Sequence, residues 1–396
     1  VTVTLNILEI GARGDGIAEE DGKRYFVPFT LPGEIVEAEP RDRRGEGIVA
    51  DLVEVLAPSR HREPAPCKHF IACGGCALQH WRADVYTGWK IELISRALAQ
   101  RGVAAPVFEP ALAGLPQERR RADFVVRRQG RRALAGFHER ASPNVVDLEM
   151  CSVVTPRLAA LLPHLRAVLV GILPDGGSAD AIANDTDAGL DVLVRPPKRF
   201  ALSLEANQAL VAFAESADLA RLSWGDRATA EPIVTRRQPR LVFGDVSLEP
   251  PPGTFLQATR RAEGAMRDAV ACWLEGAKRM ADLFAGRRLG GGRLTAVQRD
   301  LFRRPLMAAE LDAFDAVVLD PPRAGAAAQA VELGLSKVPR IVYGSCDPGS
   351  FARDARTLLD GGYRLERLLP VDQFLWSPHV ELIALFARAP LRSSRT

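Results

Sequence analysis

The sequence runs to 396 residues, 47% of them hydrophobic and 26% charged, proportions that exclude a fibrous or disordered chain and leave room for two or three domains. No apolar run reaches the roughly 18–20 residues a spanning helix needs, and the opening VTVTLNILEIGARGDG lacks the basic and apolar regions of a leader. The expectation is a soluble, cytoplasmic protein; its net charge of +3 is too small to mark a nucleic-acid binder by itself.

Residues 1–57 alternate short β-like runs (Val1–Ile7, Tyr25–Val27, Glu34–Glu39, Gly47–Val55) with Gly, Asp and Pro turns, the spacing of a small barrel. Pro58 to Pro66 reads as a linker. From Trp81 the period becomes helical, with Asp84 as N-cap, Val85, Trp89, Leu93 and Leu98 recurring, and Gly102 as the stop. From about 105 to 235, strand-like runs (Ala122–Arg128, Ala133–His138, Val145–Leu148, Asp191–Val194) mix with helical ones, which predicts an α+β central domain. Within it, Gln117–Arg140 holds eight arginines (119, 120, 121, 127, 128, 131, 132, 140) against three acids. That patch has the charge to neutralise several phosphates, and equally the make-up of a solvated hairpin face.

In the last third, Met280–Phe284, Leu294–Gln298, Ala316–Leu319 and Arg340–Tyr343 are apolar runs ending in Gly, Asp or Ser-rich turns. Helical stretches such as Ala262–Leu274 and Gln329–Leu335 lie beside them, so a parallel, doubly wound sheet is predicted. Ligands of such sheets sit beyond the carboxyl ends of the strands, where Gly286, Asp300, Asp320 and Cys346 fall.

Three of the six cysteines form Cys67-x5-Cys73-Gly-Gly-Cys76, and in a cytosolic chain such spacing favours metal or cluster ligation over disulfides. Cys151, after the run Val145–Leu148, is the natural fourth ligand, and thiolates alone suit both zinc and a four-iron cluster. Cys272 lies in an amphipathic stretch and is expected in the core. Cys346 follows an apolar strand in Tyr343-Gly-Ser-Cys346-Asp-Pro348, with a helix expected from near Ser350. The positive end of that helix would favour a thiolate, and hence a nucleophile; a structural cysteine would fit the same place. Asp320-Pro-Pro-Arg323 offers an acceptor and a cation on a stiff turn, and Pro378-His379-Val-Glu381 offers two proton acceptors.

These pieces together resemble the RNA (uracil-5-)-methyltransferase family, and within it the branch that modifies 23S ribosomal RNA. The matching residues are Cys67-Lys-His69-Phe70, Cys73-Gly-Gly-Cys76-Ala-Leu78-Gln79-His80, Tyr86, Trp89-Lys90, Cys151, Phe255-Leu-Gln257, Asp282-Leu-Phe284-Ala-Gly286, Asp320 to Arg323, Ser345-Cys346-Asp-Pro348 and His379-Val-Glu381. They are collinear over nearly the whole chain. The resemblance implies an α/β fold in three parts: an OB-like TRAM barrel over 1–57, a central α+β domain over 58–235, and a class I, Rossmann-like methyltransferase domain over 236–396. It implies S-adenosyl-L-methionine and a [4Fe-4S] cluster as cofactors, RNA as partner, no membrane and no obligate protein partner. Residue by residue, Cys346 matches the nucleophile that adds to uracil C6 and Glu381 the base that removes the C5 proton. Gln257, Phe284, Asp300 and Asp320 match positions around S-adenosylmethionine, and Cys67, Cys73, Cys76 and Cys151 match the cluster ligands.

One stretch departs from the pattern. Between Phe284-Ala-Gly286 and the run from Leu294 lie only seven residues, Arg287 to Arg293, where the methyltransferase fold places a helix, a second strand ending in a ribose-binding acid, and another helix. A parallel crossover alone needs about a dozen residues. Either a stretch is omitted from the sequence as read or it has been deleted; the match on both flanks favours omission. A true deletion would favour a non-catalytic RNA-binding protein that keeps the barrel, the cysteines and the arginine patch. An iron–sulfur redox protein is the weaker third reading, since no flavin or second-cluster motif accompanies the cysteines.

Overall fold

The computed structural model describes residues 1–198, 200–243, 246–284, 295 and 297–388. The chain divides into two compact units, one built from Val1–Arg82, Leu115–Arg260 and Leu375–Pro378, the other from Ala83–Gly114, Arg261–Phe374 and the chain from His379.

The first unit opens with five strands, β1 (Val3–Ile10), β2 (Asp15–Glu20), β3 (Lys23–Pro28), β4 (Ile35–Arg44) and β5 (Gly47–Ala57), closed into a barrel in the order β1-β2-β3-β5-β4. Leu5, Ile7, Ala18, Tyr25, Val27, Val36, Ala38 and Ala50 alternate inward and fill it, as closure of so small a sheet demands. β2 escaped the sequence reading because Asp-Gly-Ile-Ala-Glu-Glu carries almost no β-propensity; the barrel imposes it. The expected linker is anchored: Glu34, fully buried, accepts from Arg62 Nε at 2.5 Å and from the Ser59 amide at 3.2 Å.

Next comes α1 (Ala83–Gln100), which belongs to the second unit. It starts at Ala83, so Asp84 lies inside the first turn rather than capping it. Its buried stripe is Tyr86, Trp89, Lys90, Ile94 and Leu98, helical in period but with a lysine that no apolar pattern detects. Gly102, at φ +65°, ends it.

Back in the first unit follow β6 (Arg121–Gln129), β7 (Arg132–His138), β8 (Val145–Asp147), α2 (Pro156–Ile172), β9 (Ser178–Thr186), β10 (Gly189–Arg195), α3 (Leu204–Ser216), β11 (Leu219–Trp224) and β12 (Glu231–Thr235). The strands form a seven-stranded mixed sheet ordered β12-β11-β10-β9-β6-β7-β8. α2 and α3 bury Leu158, Leu161, Leu165, Leu169, Leu210 and Phe213 against Phe124, Val126, Ala181 and Val192, each large side chain contributing about 1.5–3 kcal/mol. A short hairpin, β13 (Leu241–Phe243) with β14 (Val246–Leu248), completes the unit.

The second unit then runs α4 (Arg260–Trp273), β15 (Met280–Leu283), α5 (Ala308–Leu311), β16 (Ala316–Leu319), α6 (Ala327–Leu335), β17 (Arg340–Ser345), α7 (Pro348–Asp360), β18 (Tyr363–Val371) and β19 (Glu381–Arg388). Its sheet is ordered β15-β16-β17-β19-β18. The first three strands are parallel, as expected, while β19 joins β17 antiparallel and β18 closes that edge. α1, α6 and α7 pack on one face, around Val317, Leu319, Ile341, Tyr343 and Phe386, and α4 on the other, around Ala316, Val342, Ile383 and Leu385. The sheet is therefore doubly wound. Among the described residues β15 is its outermost strand. The expected strand Leu294–Gln298 lies partly outside the described residues, and Thr295, Val297 and Gln298 are not in a strand. The junction 286–293 lies wholly outside them.

Candidate active site and cysteine cavity

The edge of the five-stranded sheet assembles the candidate active site by register alone. Leu319 pairs with Tyr343 in parallel, so the next residues, Asp320 and Gly344, come side by side. Gly344 is what makes this possible: a Cβ there would stand 3.1 Å from Asp320 Oδ1. Ser345 pairs with Leu382 in antiparallel, so the following step sets Cys346 opposite Glu381. A thiol after β17 and a carboxylate at the start of β19 are thus brought opposite one another because β19 runs backwards. The turn after β16 is braced by Asp354 of α7, fully buried, which accepts from the Ala326 amide at 2.6 Å and from Tyr343 OH at 2.7 Å.

The charges are arranged against ionisation. Burial pushes Glu381 up to about 7, against a hydrogen bond from Gln373 that favours the carboxylate, with Asp320 raising it further. Burial also raises the Cys346 thiol; Glu381 and Asp320 add to that, and Arg323 opposes it. This corrects the expectation of a helix-stabilised thiolate. α7 begins at Pro348, but its first turn is capped by Asp347, which accepts from the Ser350 amide at 2.8 Å, and burial is the largest of the influences that favour the neutral thiol. Asp320 keeps solvent access while crowded by protein, and desolvation together with Asp282 raises it as well. Arg323 donates to the His379 ring, 3.1 Å from Nε2.

Phe284, the residue after β15, has φ +67°, a left-handed conformation uncommon for a bulky side chain. Its ring meets Phe302 edge-on at 5.6 Å, which brings the 300–304 turn beside it. Asp300 caps that turn, accepting from the Phe302 amide at 3.1 Å and the Arg303 amide at 3.3 Å. Gln257 belongs to the first unit, where its main-chain oxygen accepts from Arg120 Nε at 3.1 Å. Sequence reasoning missed Gln373 as a participant, since it carries no motif signal, and it gave Asp282 no role although the residue opens the matching run Asp282-Leu-Phe284.

In the first unit, Cys67, Cys73, Cys76 and Cys151, all free thiols, line one cavity of about 340 Å³. Gly74 approaches β7 closely enough for its amide to donate to the carbonyl at the strand's end, Gly74 N to His138 O at 2.9 Å, and a Cβ there would lie 2.9 Å from that oxygen. The Gly75 amide donates to Cys73 Sγ at 3.5 Å and Gln79 Oε1 accepts from the Cys67 amide at 3.2 Å. His69 also lines the cavity, but its Nε2 is taken by the Glu149 amide at 3.1 Å. Arg119 contributes a cation. Among the described residues no three His, Cys, Asp or Glu side chains gather tightly enough for a single metal ion. Cys272 is exposed, not in the core.

The arginine patch is largely structural. Arg120 is 2% exposed, Arg121 stacks over Phe255 at 5.0 Å and pairs with Asp123, Arg128 donates to Leu173 O at 2.7 Å, and Arg140 pairs with buried Asp15. Arg131 and Arg132 are exposed at the β6–β7 turn. No helix among the described residues is long and apolar enough to cross a membrane.

The family described as tRNA (Uracil-5-)-methyltransferase matches residues 293–389, beginning at the far end of the short junction. An RNA methyltransferase of Caulobacter vibrioides is 40% identical, covering 97% of this chain and 99% of its own length. That alignment spans 422 positions, more than the 396 residues here, so part of the relative faces gaps. The 23S rRNA (uracil(1939)-C(5))-methyltransferase of Pseudomonas putida is 30% identical over 96% of this chain and 93% of its own. Among solved structures, the Pyrococcus abyssi tRNA (uracil-54, C5)-methyltransferase in complex with S-adenosyl-L-homocysteine shares the fold at a TM-score of 0.68 and 20% identity, covering 98% of this chain and 99% of that one.

Proposed function

The chain belongs to the RNA (uracil-5-)-methyltransferase family, whose members use S-adenosylmethionine, and on that premise we propose that it methylates C5 of a uridine in 23S rRNA through a covalent adduct on Cys346. The observation that carries this reading is the register of β17 on β19, which ends at the Ser345–Leu382 pair and so leaves Cys346 and Glu381 one residue beyond it, close enough for Glu381 and Asp320 both to act on the thiol. Uracil C5 is a poor nucleophile until C6 is attacked. Cys346 forms the S–C6 bond, and the C5=C6 pair moves into an enolate. C5 then takes the methyl group, the C–S bond of the sulfonium breaking with its electrons retained by sulfur. Glu381 removes the C5 proton, C5=C6 re-forms, and Cys346 leaves as thiolate.

The electrostatics fit that order. Thiolate and ionised Glu381 disfavour one another, so addition is easiest while Glu381 holds its proton. Once the sulfur charge is spent in the C6 bond, Glu381 is free to ionise and to accept the C5 proton near neutral pH. Cys67, Cys73, Cys76 and Cys151 are proposed to hold a [4Fe-4S] cluster that ties the 67–76 loop to the chain after β8, a structural role. The barrel of residues 1–57 is read as a TRAM-type RNA-binding element, and Gln257, Phe284, Asp300 and Asp320 as the surroundings of S-adenosylmethionine. Preference for 23S rRNA rests on the Pseudomonas putida relative and on the barrel and cysteine set.

A second reading, a non-catalytic RNA-binding protein, has one observation in its favour: among the described residues the sheet has no strand beyond β15, and no ribose-binding acid on a second strand. Mass spectrometry of 23S rRNA from cells with and without the gene separates the two. A 5-methyluridine lost with the gene supports the enzyme, and an unchanged digest, with tRNA also unchanged, rules it out.

A further inference from the structure

Glu381 does not stand alone at the start of β19. Its strand partner is Val371, the last residue of β18, and the three residues that follow, Asp372, Gln373 and Phe374, are held from α1. Lys90, 2% exposed, donates to Asp372 Oδ1 at 2.5 Å and to Phe374 O at 3.1 Å. Tyr86 OH donates to the same Phe374 oxygen at 3.4 Å, and the lysine ammonium lies 4.8 Å over the Tyr86 ring. The Asp372 amide donates to Leu112 O at 2.8 Å, and Asp372 Oδ1 accepts from the Phe374 amide at 3.0 Å. Between these pinned neighbours sits Gln373, 2% exposed, with its side chain hydrogen-bonded to the Glu381 carboxylate.

A buried lysine–aspartate pair is an expensive way to hold a loop. Desolvation lowers Lys90 to about 8 against the pull of Asp372, and replacing such pairs by apolar residues is often neutral or stabilising. Its use here is geometric: it fixes a backbone segment beside a reacting group. We propose that Gln373 is a positioning residue for Glu381, and that the Lys90–Asp372 pair with Tyr86 holds Gln373 so that one carboxylate oxygen is tied up and the other is presented to the uracil C5 proton. This rests on the reading of Glu381 as the proton acceptor. The other charged groups facing Glu381 are Asp320 and Cys346, both at the ends of neighbouring strands. They press the carboxyl toward its neutral form, and the Gln373 amide is the contact that opposes them.

The test compares Gln373→Leu, which leaves the ion pair intact, with Lys90→Met and Lys90→Arg. The Glu381 carboxyl is followed by ¹³C NMR in glutamate-labelled full-length protein, its signal assigned by its absence in Glu381→Gln. A hydrogen bond to a carboxylate favours the charged form, so its loss in Gln373→Leu moves the Glu381 titration up by about one unit. kcat falls about tenfold or more with KM for RNA unchanged. Lys90→Met gives the same shift, and Lys90→Arg restores it in part. A Glu381 titration unmoved in folded Gln373→Leu overturns the proposal whatever the activity. A titration that moves while kcat does not keeps the positioning role and removes Glu381 from proton abstraction.

Discussion

Glu381→Gln is expected to make the protein more stable, and increasingly so as pH rises. The side chain is 6% exposed, and burial pushes its carboxyl from 4.5 up to about 7. Between those values the folded state holds a proton that the unfolded chain has released, so unfolding free energy falls as pH rises through the window and levels off above it. The amide keeps the shape, can still bond Gln373, and never ionises. At pH 4.5 the two proteins should be nearly equal, and at pH 8 the variant should be the more stable by about 2–3 kcal/mol. Denaturant unfolding of both proteins from pH 4.5 to 8.5 measures this, and taking the difference cancels every other titrating group. A difference that stays flat across the range would mean Glu381 ionises like an ordinary glutamate, and its fitness as a neutral-pH base would fall with it.

Two further outcomes can be checked. Anaerobically purified protein should be brown and contain about four irons per chain, with the colour lost in Cys67→Ser or Cys151→Ser and kept in Cys272→Ser, because Cys272 is exposed and outside the cavity; colourless protein with one zinc would replace the cluster. Gly344→Ala should cut the rate of adduct formation more than it lowers the melting temperature, since the new methyl group meets Asp320 at 3.1 Å at a cost of about 1–3 kcal/mol, and unchanged kinetics would detach Asp320 from the chemistry.

Strands with apolar runs were legible in the sequence: Arg340–Tyr343, Ala316–Leu319 and Ala122–Arg128 all lie in strands of the structure. β2 was not, since closure of the barrel rather than its own residues makes it a strand, and β18 was not, since Arg364, Glu366 and Arg367 interrupt its apolar alternation. Cys346, Asp320 and Glu381 could be singled out because each follows or opens an apolar run. What the sequence could not give is their state of charge. A helix end predicts a thiolate, but the antiparallel return of β19 brings a carboxylate opposite the thiol, a fact of topology between residues 35 positions apart. Lys90 and the arginines teach the converse, that charge in a sequence reads as surface. Lys90 is buried in an ion pair, and Arg120, Arg128 and Arg140 hold main-chain or carboxylate partners.

The two halves of the proposed reaction can be tested apart. On the proposed mechanism, addition of Cys346 to C6 and proton traffic at C5 involve the ends of β16, β17 and β19, and the methyl donor is needed only for the transfer step, whereas the sequence before Leu294 holds only Arg287–Arg293 where the methyltransferase fold has a full crossover. In the absence of S-adenosylmethionine, the enolate formed by addition can take a solvent deuteron at C5 instead of a methyl group; loss of the original proton and expulsion of Cys346 then return uridine labelled at C5. The full-length chain should therefore exchange C5 hydrogen of its target uridine in D₂O, detected by mass spectrometry of RNA digests. Exchange should be abolished in Cys346→Ala and slowed about 10²-fold or more in Glu381→Gln. If exchange occurs but added S-adenosylmethionine yields no 5-methyluridine, the short junction has cost the cofactor site and not the nucleophile. Exchange at the wild-type rate in Cys346→Ala would exclude covalent addition by this residue.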